Sequence, residues 1–248
     1  MHFHLPKPLH GWREFAGEVG IIVVGVLIAL AAEAVVQDIE WRNRVQGSLD
    51  ALGSDIKDDY FSAAEIVVTQ PCVDAQLAQI EQGLSRPGPW RPLPVYVRGP
   101  LRFVVRAPVR TWTSNVWQAM NNEGVSSHID RPLRLGIEAF FTTTAYLSAQ
   151  QSDAAKLNWG LTALGQQAAP DAGQRFQLIR DIEQMRGNFQ LLKVVANQAL
   201  GRVDSLGIGN EDPAKLQSYL TTSGTVAFCR ERHLPLGNLQ PIAPTDIK

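Results

Sequence analysis

Residues 19–36 read VGIIVVGVLIALAAEAVV, and Glu33 is the single charge in that run. At about 1.5 Å of rise per residue a helix over this stretch spans roughly 27 Å, close to the hydrocarbon thickness of a bilayer. The run reads as a transmembrane helix. Trp12 and Trp41 flank it about 29 residues apart, so a continuous helix sets their indoles roughly 43 Å from each other, the span of a bilayer with its headgroups. Both tryptophans are therefore expected at the membrane interface. The competing reading is a secretory signal peptide, with Lys7 and Arg13 as its basic region and Ala29-Leu30-Ala31 as its cleavage site. Continuity argues for an uncleaved anchor, because helix-compatible sequence runs on through Glu40, Trp41 and Arg44 without proline.

Orientation is nearly balanced on charge. Lys7 and Arg13 precede the run, while Arg42 and Arg44 follow it. Residues 1–18 are too short for a domain, so they are expected as a cytoplasmic tail, with residues 37–232 as a periplasmic helical domain. Ala16 and Gly20, and again Gly25 and Ala29, set small residues four apart, which permits close helix approach. Glu33 must snorkel to the interface or find a polar contact on another membrane helix, which makes it a candidate partner contact.

The chain has 248 residues and a formal net charge of −1. With the anchor set aside, about 200 residues remain, enough for one domain with its own core. A near-neutral balance without a long basic run gives no footprint for nucleic acid. Cys72 and Cys229 are the two cysteines, and in an oxidising compartment they can pair across about 157 residues, worth nominally about 5 kcal/mol in the chain-entropy account. The alternative is two separate buried thiols.

Beyond the anchor, Val45, Leu49, Leu52, Ile56, Tyr60, Ala63 and Val67 recur every three or four residues, one apolar stripe that continues the helix. The stripe packs on later helices of the same chain or on a second copy. Pro71 is expected to stop this helix, and Cys72 to restart it to about Leu84. Residues 85–110 carry a series of prolines and form an extended arm, with short strands at PVYVR and LRFVVR. Trp90, Tyr96 and Phe103 keep it from being a disordered linker and are candidate partner contacts. Trp112 and Trp117 read as core plugs. Asp130 before Pro132 starts a helix to about Ala168, and Pro170-Asp171 connects it to another from Ala172 to Leu206. So short a link implies antiparallel neighbours. A last short helix follows Asp212, and residues 233–248 form an extended tail.

The chemical motifs weigh little. His2, His4 and His10 lie on a proline-bearing tail without fixed geometry, and Cys229 with His233 lacks a second ligand pair. Ser127, His128 and Asp130 are too close in sequence to converge as a triad. No cofactor is expected. Gly207-Ile208-Gly209 follows a helix and reads as its stop, not as a phosphate loop.

GEVGIIVVGVLIALAAE at 17–33, PCVDAQLAQI at 71–80 and SNVWQAMNNEG at 114–124, with two long helices behind them, resemble uncharacterised single-pass inner-membrane proteins of Gram-negative bacteria. The resemblance implies an anchor followed by an exported helical domain and supplies no catalytic residues. The chain departs from the set in its longer arm and its tail. The expected fold is all-α, a transmembrane helix continuing into an antiparallel helical bundle with a proline-rich arm. The expected function is non-enzymatic: binding another protein, as an accessory or stabilising subunit of an inner-membrane complex. The alternative is a ligand-sensing helical domain that signals through a partner.

Overall fold

A computed structural model describes residues 11–86, 89–98, 101–208 and 213–239. The tail histidines, Lys7, Gly99 and Pro100, Gly209, Asp212 and residues 240–248 lie outside that range. Among the described residues the fold is all-α apart from one hairpin. In order come α1 (Trp12–Ser85), β1 (Tyr96–Arg98), β2 (Leu101–Phe103), α2 (Asn115–Asn122), a 3-10 turn (Val125–His128) and α3 (Arg131–Gly160). A second 3-10 turn (Leu161–Gly165), α4 (Ala172–Leu206), α5 (Pro213–Thr222) and α6 (Gly224–Glu231) follow among the described residues.

α1 is 74 residues long, roughly 110 Å of helix. Residues 15–40 are exposed on every face, the apolar run included, and the body begins where Trp41, Val45 and Leu49 pack against the core. From 61 to 70 the helix is buried on all sides. α4 packs along α1 and along α3. Gly136, near the start of α3, lets Leu206 at the end of α4 come so close that a Cβ there would stand 2.6 Å from it, while Gly160 lies beside Asp181. α3 and α4 therefore run in opposite directions. A capping box between Asp171 and Gln174 opens α4, and Gly207, at φ 65°, closes it in the left-handed conformation glycine tolerates.

Three sequence expectations are corrected, the third being that α5, expected as the last short helix, is followed by α6, which Ser223 caps. The helix does not stop at Pro71; α1 passes straight through it. Proline removes the N–H that Val67 O would accept, and the C-terminal segment covers that turn. Gly237 donates its N–H to Val68 O at 2.8 Å, and it lies so close that an added Cβ would be 3.2 Å from Val67 O and 3.4 Å from the Pro71 ring. The 234–239 stretch is thus docked on α1, with Leu236 and Leu239 packed against Val68, Leu220 and Val226. The second correction is the end of α3, which gives way after Gly160 to a 3-10 turn instead of reaching Ala168. The tighter turn buries both Leu161 and Leu164 and offers Leu164 O to Leu93 N at 2.9 Å.

Cys72 and Cys229 are bonded, with S–S 2.07 Å and Cα atoms 6.0 Å apart. Both are fully buried, so the bridge fastens α6 to α1 one residue beyond Pro71.

Candidate functional site

An extended strand inside a helical protein has backbone groups that no helix ladder can satisfy, and each one left unpaired in the interior costs about 1–3 kcal/mol. Residues 104–113, which follow β2 and are neither helix nor strand, are in the same position, with Val104 and Val105 both buried. The helices supply side-chain amides in place of a neighbouring strand. Asn158 of α3 accepts from Val104 N at 3.0 Å and Val105 N at 3.1 Å, and donates to Val105 O at 2.8 Å. Gln76 of α1 accepts from Arg106 N at 2.7 Å and donates to Arg106 O at 2.9 Å. Gln151 of α3 donates to Pro108 O at 3.2 Å and accepts from Trp112 Nε1 at 2.7 Å. Where the arm turns into α2, Asp59 accepts from Thr113 N at 3.2 Å and Asp55 from Val116 N at 3.4 Å. These side chains of α1 and α3 are in this way sockets for the arm and the start of α2.

Glu65, fully buried in α1, ties three further elements together. Its Oε2 accepts from Arg110 Nε at 2.5 Å and from Tyr219 OH at 3.4 Å, and its Oε1 from Ser223 Oγ at 2.5 Å. Ser223 Oγ in turn accepts from Thr225 N and Val226 N, capping α6. One hydroxyl thus joins the start of α6 to the carboxylate. Burial disfavours the charge on Arg110, but the bond and ion pair with Glu65 outweigh it and hold the guanidinium above its ordinary range. Burial, followed by the Glu65 charge, raises the Tyr219 hydroxyl as well.

Asp59 is 1% exposed. Among the described residues its Oδ2 and the neighbouring Thr113 Oγ1 have no hydrogen-bond partner. Burial above all, with the charges of Asp55 and Asp58 adding to it against the Thr113 N–H, pushes its carboxyl up to about 7.

Between the arm and α3 opens a cleft of about 320 Å³. Phe103, Ala154, Trp159 and Phe189 give it apolar walls, and Arg106 and Arg110 stand at its polar end.

The residues singled out in the sequence are dispersed. Trp12 is 80% exposed, with its ring 6.1 Å from Phe15. Trp41 is half-buried and stacks on His128 at 3.8 Å, with Arg44 over its ring, so it braces the body against the emerging helix. Glu33 is exposed and accepts from Gln37 Nε2 at 3.4 Å. Trp90 donates to Gln166 O at 2.9 Å. Tyr96 and Phe103 are opposed in the hairpin and stack at 5.9 Å, and Phe228 of α6 meets Tyr96 edge-on at 5.4 Å. These three arm aromatics are half-buried and spend much of their surface inside the molecule. Cys229 is held in the disulfide and is not available to a metal.

No family model, curated protein or solved structure matches the chain. The site therefore rests on its own geometry. Glu65, Asp59, Gln76, Gln151, Asn158 and Arg110 were not distinguished by the sequence reading. Glu65 carried a usable signal, being the single charge between Tyr60 and Val73. The three amides carried none, since glutamine and asparagine are ordinary on a helix surface.

Proposed function

We propose that the protein is a single-pass inner-membrane subunit whose helical body binds another protein in the periplasm, as an accessory or stabilising component of a membrane complex. The observation that carries this is the continuity of α1, which passes without a break from an exposed apolar run into the buried centre of the body. A helix of that kind is both anchor and strut. It fixes the level of the Glu65 network and the arm roughly 45–60 Å from the end of the apolar run, where a partner of matching height would be met. The buried Cys72–Cys229 bridge suits an oxidising compartment, in keeping with a cytoplasmic N-terminus and a periplasmic body. Glu33, exposed on the anchor, is the polar group a neighbouring membrane helix would use.

Purification of the full chain from native membranes through a C-terminal tag, in a gentle detergent, is expected to bring down a stoichiometric membrane protein. Recovery of the chain alone, or only as a homodimer, would contradict the accessory role. The cleft beside the arm favours a second reading, a ligand-sensing domain that acts through its partner. A ligand that raises the melting temperature of the reconstituted protein would distinguish it.

A further inference from the structure

α2 begins without a cap of its own. Ser114 is its N-cap residue, yet that side chain makes no capping bond. The N–H groups around this end are met from α1 instead: Asp59 takes Thr113 N at 3.2 Å and Asp55, one turn earlier, takes Val116 N at 3.4 Å. The two acids differ in surroundings. Asp55 is half-buried, whereas Asp59 is fully buried, and its Oδ2 and Thr113 Oγ1 have no partner among the described residues. An acid so placed is tolerated neutral and penalised charged.

The neighbouring groups add to that penalty. Asp55 and Asp58 of its own helix bear on Asp59 with like charge, while the arm presents Thr113 and α3 the buried Thr144, both uncharged. Lys57, on the same helix, holds its Nζ 5.9 Å from the Phe61 ring, and Asp204 of α4 bears on the adjacent Tyr60. The segment that Asp59 holds lies between two fixed points. Trp112 is tied to Gln151 on one side. On the other, Val125 is fully buried just past Gly124, whose φ of 77° makes it a joint. Between them Trp117 and Met120 seat α2 in the core, with the Trp117 ring 6.4 Å from Phe141.

We propose that Asp59 is a proton-operated latch: with its carboxyl neutral, residues 113–122 lie seated on α1, and loss of the proton releases them while the rest of the body stays folded. Release carries the carboxylate into water and uncovers Trp117 and Met120, so the proton decides which apolar surface the body shows. The latch follows from the body alone and holds whichever side of the membrane it lies on.

The test is hydrogen exchange of the full chain in neutral-lipid nanodiscs, read by mass spectrometry at pH 5 and pH 7 with intrinsic rates divided out. Protection of 113–122 should fall by roughly fiftyfold as pH rises, the factor carried by a carboxyl that titrates at about 7 when seated and about 4 when released. α4 should stay better protected than 113–122 at both values, because it opens only with the whole body. Asp59→Asn, which can keep the acceptor for Thr113 N and cannot ionise, should show equal protection of 113–122 at both. Three results would overturn the latch: wild-type protection of 113–122 unchanged with pH, protection of 113–122 equal to that of α4 at both values, or the same fall in Asp59→Asn. The first two need no variant, so the test stands even where Asp59→Asn does not fold.

Discussion

Between 19 and 36, α1 turns Ile21, Leu27 and Ile28 outward on successive faces, and none of the described residues covers them. Between 61 and 70 the same helix is enclosed and carries Glu65, Thr69 and Gln70 into the interior, each with a hydrogen-bonded partner. The first segment is apolar and bare; the second is partly polar and buried. Read by burial alone, each looks inverted. The proposed anchor resolves this by giving them different solvents, lipid for the first and the folded body for the second. A bilayer asks only that side chains be apolar, because the helix satisfies its own backbone. The body can take polar groups, provided each one is paired.

Placing an acid at matched positions breaks the comparison most severely. Leu77→Asp, at a fully buried site, puts an unpaired charge in the core and should cost more than about 4 kcal/mol, enough to unfold the body. Leu27→Asp should leave the body's denaturation midpoint unchanged while reducing membrane retention on fractionation.

Asp59 sharpens the contrast through pH. Its folded pKa is raised to about 7, above the ordinary carboxylate value, so the unfolded chain releases the proton first. The stability that comes from keeping it protonated is full below about pH 4 and is lost as pH rises through about 7, by up to about 4 kcal/mol. Denaturant unfolding of wild type and Asp59→Asn should coincide near pH 4, with the variant increasingly the more stable towards pH 8. Parallel curves would show that the carboxyl is not held neutral.

Asn158→Leu tests the sockets. It strands two N–H groups and one carbonyl of the arm, and a loss of about 3 kcal/mol is expected by chemical denaturation. Hydrogen exchange at Val104 and Val105 should rise more than exchange in α4.

The smallest change is Gly237→Ala. With rigid atoms 3.2 and 3.4 Å from the new Cβ, it should lift the 234–239 stretch from Pro71 and lower stability by about 1 kcal/mol.

Much of this architecture was legible in the sequence, because hydrophobic pattern and capping are local. The apolar run, the stripe from Val45 to Val67, α4 between Asp171 and Gly207, and the strands on either side of Gly99 all carry their signals within a few residues. Pro71 misled for the opposite reason, since the group that covers its turn is Gly237, far along the chain. The sockets were hidden likewise. Whether Gln76, Gln151 or Asn158 faces water or an arm backbone is settled by tertiary placement, which periodicity does not encode.

The central claim, that one continuous helix serves two solvents, is tested most directly by nitroxide labels placed singly along α1 of the chain reconstituted in a bilayer. Oxygen accessibility should be high on all faces from 19 to 36, with a maximum near its middle and low accessibility to an aqueous nickel reagent. From 45 to 60 it should oscillate with the helical period as the body covers one side. Nickel accessibility throughout 19–36 would place that segment in water and contradict the account.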